Sequence, residues 1–331
     1  MKKSAAVIFS FLFFVFLLEA FTIIDDDAIL RKKAADDFKT SITDTQFNSS
    51  DELHWTGSTS SCKPGKVPGS VYAKLLKRIN YFRRLAGIHD DIIIDSSWNK
   101  YAQAAALMMY ASNDLDHDPK PTMKCYSADG KTGAGTSNLS MFEGISIRDL
   151  IIDEVEDGDA TNPDCGHRRW ILFSGLTKVG LGITDGTYAL KVMPNDFDDT
   201  VSFHGNVPAY FAYPSSGYIP YEVVFQKWSF AVPGGADFTD AVVNINAGGT
   251  HIPCGVISRN EQLYGDPTLV WSLPQIKEDF DYNYFDMNEK KAAFKDLGLL
   301  EKKVTVNITG VKVDGVAKTY SYSFTIFDPE N

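Results

Sequence analysis

Two histidines stand out among the residues able to do chemistry. His167 lies in N-P-D-C-G-H-R-R-W, behind Cys165 and ahead of Arg168, Arg169 and Trp170. His117 lies 50 residues earlier, in N-D-L-D-H-D-P. Imidazoles this far apart in the chain meet only through the fold. Once together they can ligate a divalent ion or pass a proton; kept apart, each serves its own loop as a hydrogen-bonding group. Neither sits in H-E-x-x-H, so a conventional zinc protease is not indicated. Cys165, two residues before His167, could share a strand face with it as a cysteine–histidine pair, but in a secreted chain such a cysteine is more often a disulfide half. Ser137 lacks the G-x-S-x-G elbow of a serine hydrolase. Gly133–Gly135 is too short for a phosphate loop and reads as a turn. Arg168 and Arg169 beside Trp170 suit either an anion site or an ion pair tying a helix to a strand.

The elements that must position these groups begin after a leader. Lys2 and Lys3 precede an apolar run, Ala5–Leu18, and a cleavage site ending at Ala20. That is the pattern of a secretory signal peptide over residues 1–20. An uncleaved anchor would have to continue to Ile24 and take Glu19 into the bilayer, which is costly. The expected localisation is therefore secreted and extracellular, with no membrane span after cleavage. A formal net charge of −11 repels phosphate backbones and excludes nucleic acid as a partner. Four cysteines, Cys62, Cys125, Cys165 and Cys254, are an even count that suggests two disulfides. Three connectivities are open, and Cys125–Cys165 with Cys62–Cys254 is the expected one. Sequons stand at Asn48, Asn138 and Asn307.

Residues 21–66 are polar and rich in Ser, Thr and Asp, the composition of a spacer or an ordered lead-in. From 67 to 200 helices come first: apolar spacing predicts one over 71–85, a second from Asp95 or Ser96 to about Ser112, and a third over 146–154. Strands follow at 170–173, 179–183 and 188–193. This order implies an α+β fold, an α-β-α sandwich. Residues 205–331 hold six short strands between turns, at 223–230, 241–245, 251–257, 268–273, 304–308 and 320–327, with one helix over 289–297. The alternation in T-Y-S-Y-S-F-T-I-F marks a half-buried strand, and the set predicts an all-β, immunoglobulin-like sandwich.

Four pieces in order make residues 67–195 resemble the CAP superfamily of cysteine-rich secretory, antigen 5 and pathogenesis-related class 1 proteins. They are R-I-N-Y-F-R-R-L-A-G (78–87), W-N-K-Y-A-Q-A-A-A-L-M-M (98–109), N-D-L-D-H-D-P around His117, and C-G-H-R-R-W-I-L with K-V-G-L-G behind it. With a β-sandwich attached, the chain looks like the microbial branch. The resemblance implies a cleft where two histidines and two acidic residues can hold a divalent ion such as Zn2+. His117 and His167 match the histidines, and Asp153 or Glu154 matches one carboxylate. The other falls on Ser137, in T-S-N-L. Ser137, Asn138 and Arg168 are then expected to line the cleft and bind ligand. Functions implied by the resemblance are extracellular binding of a protein, a lipid or sterol, or a glycan. The alternatives are a metal-dependent peptide or ester hydrolase, in which an ion held by these groups activates water, and a cell-surface or wall component.

Overall fold

In a computed structural model, residues 26–143, 148–158, 161–195, 207–259, 265–277 and 287–331 are described. The expected signal peptide and the start of the expected third helix lie outside them. Seven α-helices and thirteen strands are assigned among the described residues, an α+β fold.

The first lobe is built on a sheet of β1 (Ile93–Ile94), β2 (Ser137–Met141), β3 (Lys178–Ile183) and β4 (Thr187–Lys191), in the order β1-β3-β4-β2. Its two faces carry different residues because side chains alternate along a strand. Val179, Leu181, Ile183, Tyr188 and Leu190 join a core with Leu75, Ile79 and Phe82 of α2 (Gly69–Leu85). Ala189 and Leu139 pack instead with Ala102, Ala105, Met108 and Met109 of α3 (Ser96–Ser112). The glycines of K-V-G-L-G make this second contact close. A Cβ on Gly182 would stand 2.1 Å from the backbone of Ala102, and one on Gly180 would stand 2.6 Å from that of Trp98. Helix α3 starts where expected, its Asp95 side chain accepting from the Ser97 and Trp98 N–H groups. Helix α4 (Ala128–Gly135) lies against α3 and leads into β2. These layers make the expected α-β-α sandwich.

The second lobe has two sheets. One has the order β10 (Gly255–Ser258), β11 (Thr268–Ser272), β7 (Lys227–Ala231), β5 (Phe211–Tyr213), and the other β6 (Gly217–Pro220), β13 (Val316–Phe327), β12 (Lys303–Val313), β8 (Val242–Ala247), β9 (Thr250–Ile252). They face each other through β7 and β13: Trp228 meets Phe324 at 5.2 Å and Phe230 meets Tyr320 at 4.8 Å between ring centres. The alternation read in β13 holds, with Tyr322, Phe324 and Ile326 buried. Helix α7 (Met287–Asp296) matches the expected single helix.

Several expectations are corrected. Residues 26–41 are not a spacer but helix α1, which joins the lobes. Its Arg31 donates to both Glu301 oxygens at 2.6 and 2.7 Å and covers Phe327, while Asp37 accepts from Arg84 of α2 at 2.5 and 2.8 Å. These ion pairs with distant partners leave no mark in local composition. The segment 170–173 is not a strand; helix α6 (Gly166–Ile171) replaces it. The third helix is the short α5 (Ile152–Glu156). The one disulfide among the described residues joins Cys62 to Cys125, tying two surface loops. Cys165 is sealed in the core and Cys254 is half-buried in the second lobe, both as free thiols. Asn138 is buried, so its sequon is closed to a glycan in the folded chain. Among the described residues, no helix is long and apolar enough to cross a membrane.

Candidate functional site

The site forms where α5 ends and α6 begins. Asp157 follows α5 in a left-handed conformation, φ 53°, which turns its carboxylate toward the next helix. Four donors converge on it. The His167 and Arg168 N–H groups donate to Oδ2 at 2.9 and 3.3 Å, so Asp157 caps the start of α6 from ten residues away. The His167 ring donates through Nδ1 to Oδ1 at 3.0 Å, and Asn162 adds its amide at 2.7 Å. This capping makes W-I-L-F a helix end rather than a strand.

Glu154 and Asp153 lie beside this pair. Asn138, on β2, donates to Glu154 Oε2 at 2.9 Å and to the His167 carbonyl at 3.1 Å. Asp153 accepts from Tyr188 at 3.2 Å, from Ser140 at 3.3 Å and from the Glu154 N–H at 3.0 Å. Burial raises the Asp153 carboxyl, and the neighbouring charges of Glu154 and Asp149 add to it, bringing it to about 7. Burial likewise raises Glu154, against the pull of His167. For His167 burial opposes the charged ring. The Asp157 bond and the fields of Asp157, Glu154 and Asp153 outweigh it and hold the ring up to about 9. A protonated imidazole has two N–H donors and no lone pair.

Two of the expected ligand-binding residues are occupied elsewhere. Arg168 is fully buried and donates to the carbonyls of Val155 at 2.5 Å, Glu156 at 2.7 Å and, across the lobe boundary, Lys227 at 2.8 Å. Lys227 answers by donating to the carbonyls of Asp157 at 2.7 Å and Asn162 at 3.1 Å. Ser174 and Asp266 add a second crossing at 2.7 and 2.9 Å. Arg168 is thus a joint between lobes rather than a ligand contact. Asn138 is consumed by Glu154 and His167. Ser137 is buried, with its hydroxyl unpartnered among the described residues. Cys165 is fully buried, and that burial pushes its thiol up to about 11.

Residues 76–193 match the family model described as CAP, the cysteine-rich secretory protein family. This stretch is a CAP domain. No curated protein and no solved structure matches the chain. The match contains every residue that the resemblance carried over to a metal cleft. Within the CAP domain, His167, Glu154 and Asp153 come together. His117 does not join them through any hydrogen bond or ion pair; it is exposed, and its ring bonds the Ala134 carbonyl at 2.9 Å. Among the described residues, no three His, Cys, Asp or Glu side chains are grouped so as to hold a metal ion.

Asp157 and Lys227 escaped the sequence reading. Asp157 had one local signal, an Asp-Gly pair behind a short helical run. Lys227 had none.

Proposed function

We propose that this chain is a secreted extracellular recognition protein that acts by binding rather than by turnover. Its partner is a protein, a lipid or sterol, or a glycan outside the cell. The CAP domain supports this reading, as does the Cys62–Cys125 disulfide, since such bonds persist in oxidising compartments. The observation that carries it is the internal use of the histidine–acid cluster. Asp157 binds four donors, Asn138 holds Glu154, and Arg168 and Lys227 exchange bonds between lobes. The groups that would activate water are thereby made into a fixed framework.

A second reading, a metal-dependent hydrolase, is favoured by one detail: Glu154 Oε1 is buried without a partner among the described residues. Zinc content after dialysis, together with turnover of peptide and ester substrates, separates the two. Recognition predicts less than about a tenth of an ion per chain, the level of adventitious binding, and no turnover. A stoichiometric ion with zinc-dependent turnover would overturn it. Secretion is tested by the first residue of protein recovered from the culture medium. A start after Ala20 supports it, and retention inside the cell with Cys62 and Cys125 reduced contradicts it.

A further inference from the structure

Three Asn-x-Ser/Thr triplets stand in the chain, at Asn48, Asn138 and Asn307, and the fold treats their side chains differently. An asparagine amide has two hydrogens to donate. A sugar attached to the nitrogen takes the place of one, so the folded chain tolerates it only where a hydrogen is spare and faces solvent. Asn138 fails on both counts. It is 2% exposed, and its amide spends one hydrogen on Glu154 at 2.9 Å and the other on the His167 carbonyl at 3.1 Å. A sugar there breaks one of these buried bonds and needs room inside the lobe. A chain modified at Asn138 therefore cannot reach this fold.

Asn48 is exposed, in the loop ahead of the short 3-10 turn Ser50–Leu53. Its amide donates to Glu52 Oε1 at 3.0 Å, and its backbone N–H donates to the same oxygen at 2.9 Å. The second amide hydrogen makes no bond among the described residues, so a sugar in its place leaves the turn intact. Asn307 is freer. Along β12, Val304, Val306 and Ile308 face the core, and alternation turns Thr305, Asn307 and Thr309 to the outer face. Asn307 is half-buried, and its amide makes no hydrogen bond among the described residues. Its cross-strand neighbours, Asn244 on β8 and Ser321 on β13, are exposed and short, so neither reaches over it. The next row, Asn246, Thr305 and Ser323, is also uncharged. Such a face, centred on the middle strand of five, offers donors and acceptors to sugar hydroxyls.

We infer that the exported chain carries N-linked glycans at Asn48 and Asn307 and none at Asn138. In the transfer, the asparagine Nδ2 bonds to the anomeric carbon of an oligosaccharide held on a lipid pyrophosphate. The sugar–phosphate bond breaks, the lipid pyrophosphate leaves with its electron pair, and the displaced amide proton passes to a base. The inference rests on the export proposed above, through a secretory compartment that holds this donor. A glycan is bulky and solubilising, so the one at Asn307 covers the middle of the outer sheet face against protein docking.

The test is expression of the full chain with its own leader in insect cells, then mass mapping of the chain recovered from the medium. A peptide N-glycosidase converts each glycan-bearing Asn to Asp, which marks the sites against an untreated sample. Asn48 and Asn307 should be converted, and Asn138 should remain Asn. Ser50→Ala should remove the Asn48 glycan alone and Thr309→Ala the Asn307 glycan alone, each read as the loss of one glycan from the intact mass. Both residues lie outside the core, so the variants still fold. Chain in the medium that lacks a glycan at Asn48 or at Asn307, or that carries one at Asn138, overturns the inference and leaves export standing. Chain retained in the cells without glycan overturns both, so the fraction in which the chain is found tells the two failures apart.

Discussion

Replacing Arg168 by Met tests whether the two lobes are joined through the histidine cluster. The side chains have similar reach, so the core stays filled while all the guanidinium donors vanish. Three carbonyls, of Val155, Glu156 and Lys227, then lose a charged donor, and the contact over the Tyr213 ring at 5.2 Å goes with them. Breaking a buried charged network in this way costs about 3–5 kcal/mol. Unfolding entropy near 2.1 cal/mol/K per residue gives about 0.7 kcal/mol/K for 331 residues, so the melting temperature should fall by about 4–7 °C. Arg168→Lys should fall nearly as far, since an ammonium cannot span three divergent carbonyls. Scanning calorimetry reads the shift, and the wild-type chain should melt in one transition because buried residues of both lobes form one continuous core. Two resolved transitions in the wild type, or an Arg168→Met shift within about 1 °C, well below what about 3 kcal/mol implies, would refute the joint.

Three further outcomes follow. Asp153 binds its proton more tightly folded, at about 7 against an ordinary 3.8, so its favourable contribution is full below that ordinary value and is lost as pH rises through about 7; urea midpoints should fall over this window, and Asp153→Asn should flatten the slope. Replacing Cys62 and Cys125 by Ala opens a loop of 63 residues and should lower unfolding free energy by up to about 4 kcal/mol, measured against the wild type by denaturant titration. Gly182→Ala sets a methyl against the Ala102 backbone and should destabilise by about 1–3 kcal/mol or more in the same assay, whereas Gly87→Ala, where a Cβ meets nothing, should show only the strain of its positive φ.

Elements governed by local pattern were legible. Helices α2 and α3 followed their apolar spacing and the Asp95 cap, and β13 followed its alternation. The paired glycines of K-V-G-L-G could be matched to a family before their reason, the approach of α3, was visible. What escaped depends on partners remote in sequence. Helix α6 read as a strand because W-I-L-F is too short to show a period and its cap, Asp157, stands ten residues before His167. Helix α1 read as a spacer because it buries little beyond Phe38 and is held by Glu301, 270 residues away. The disulfide was misassigned because pairing follows which loops meet, and Cys165 is shut into the core. At the site, His167 lies beside Asp153 and Glu154, while His117 bonds the Ala134 carbonyl instead. The role of Arg168 was not readable, since a buried and a ligand-facing arginine look alike until the carbonyls around them are known.

The most direct measurement is NMR titration of the His167 ring between pH 5 and 10, with and without one equivalent of zinc. The ring should stay protonated at neutral pH and lose its proton near 9, because Asp157 and the neighbouring carboxylates outweigh burial. Its stabilising contribution should be complete below 6.5 and disappear as pH rises through that midpoint. Asp157→Asn should lower the midpoint, and zinc should leave the neutral-pH signals in place. A His167 ring that is neutral at pH 7 and shifts together with His117 on adding zinc would contradict the account.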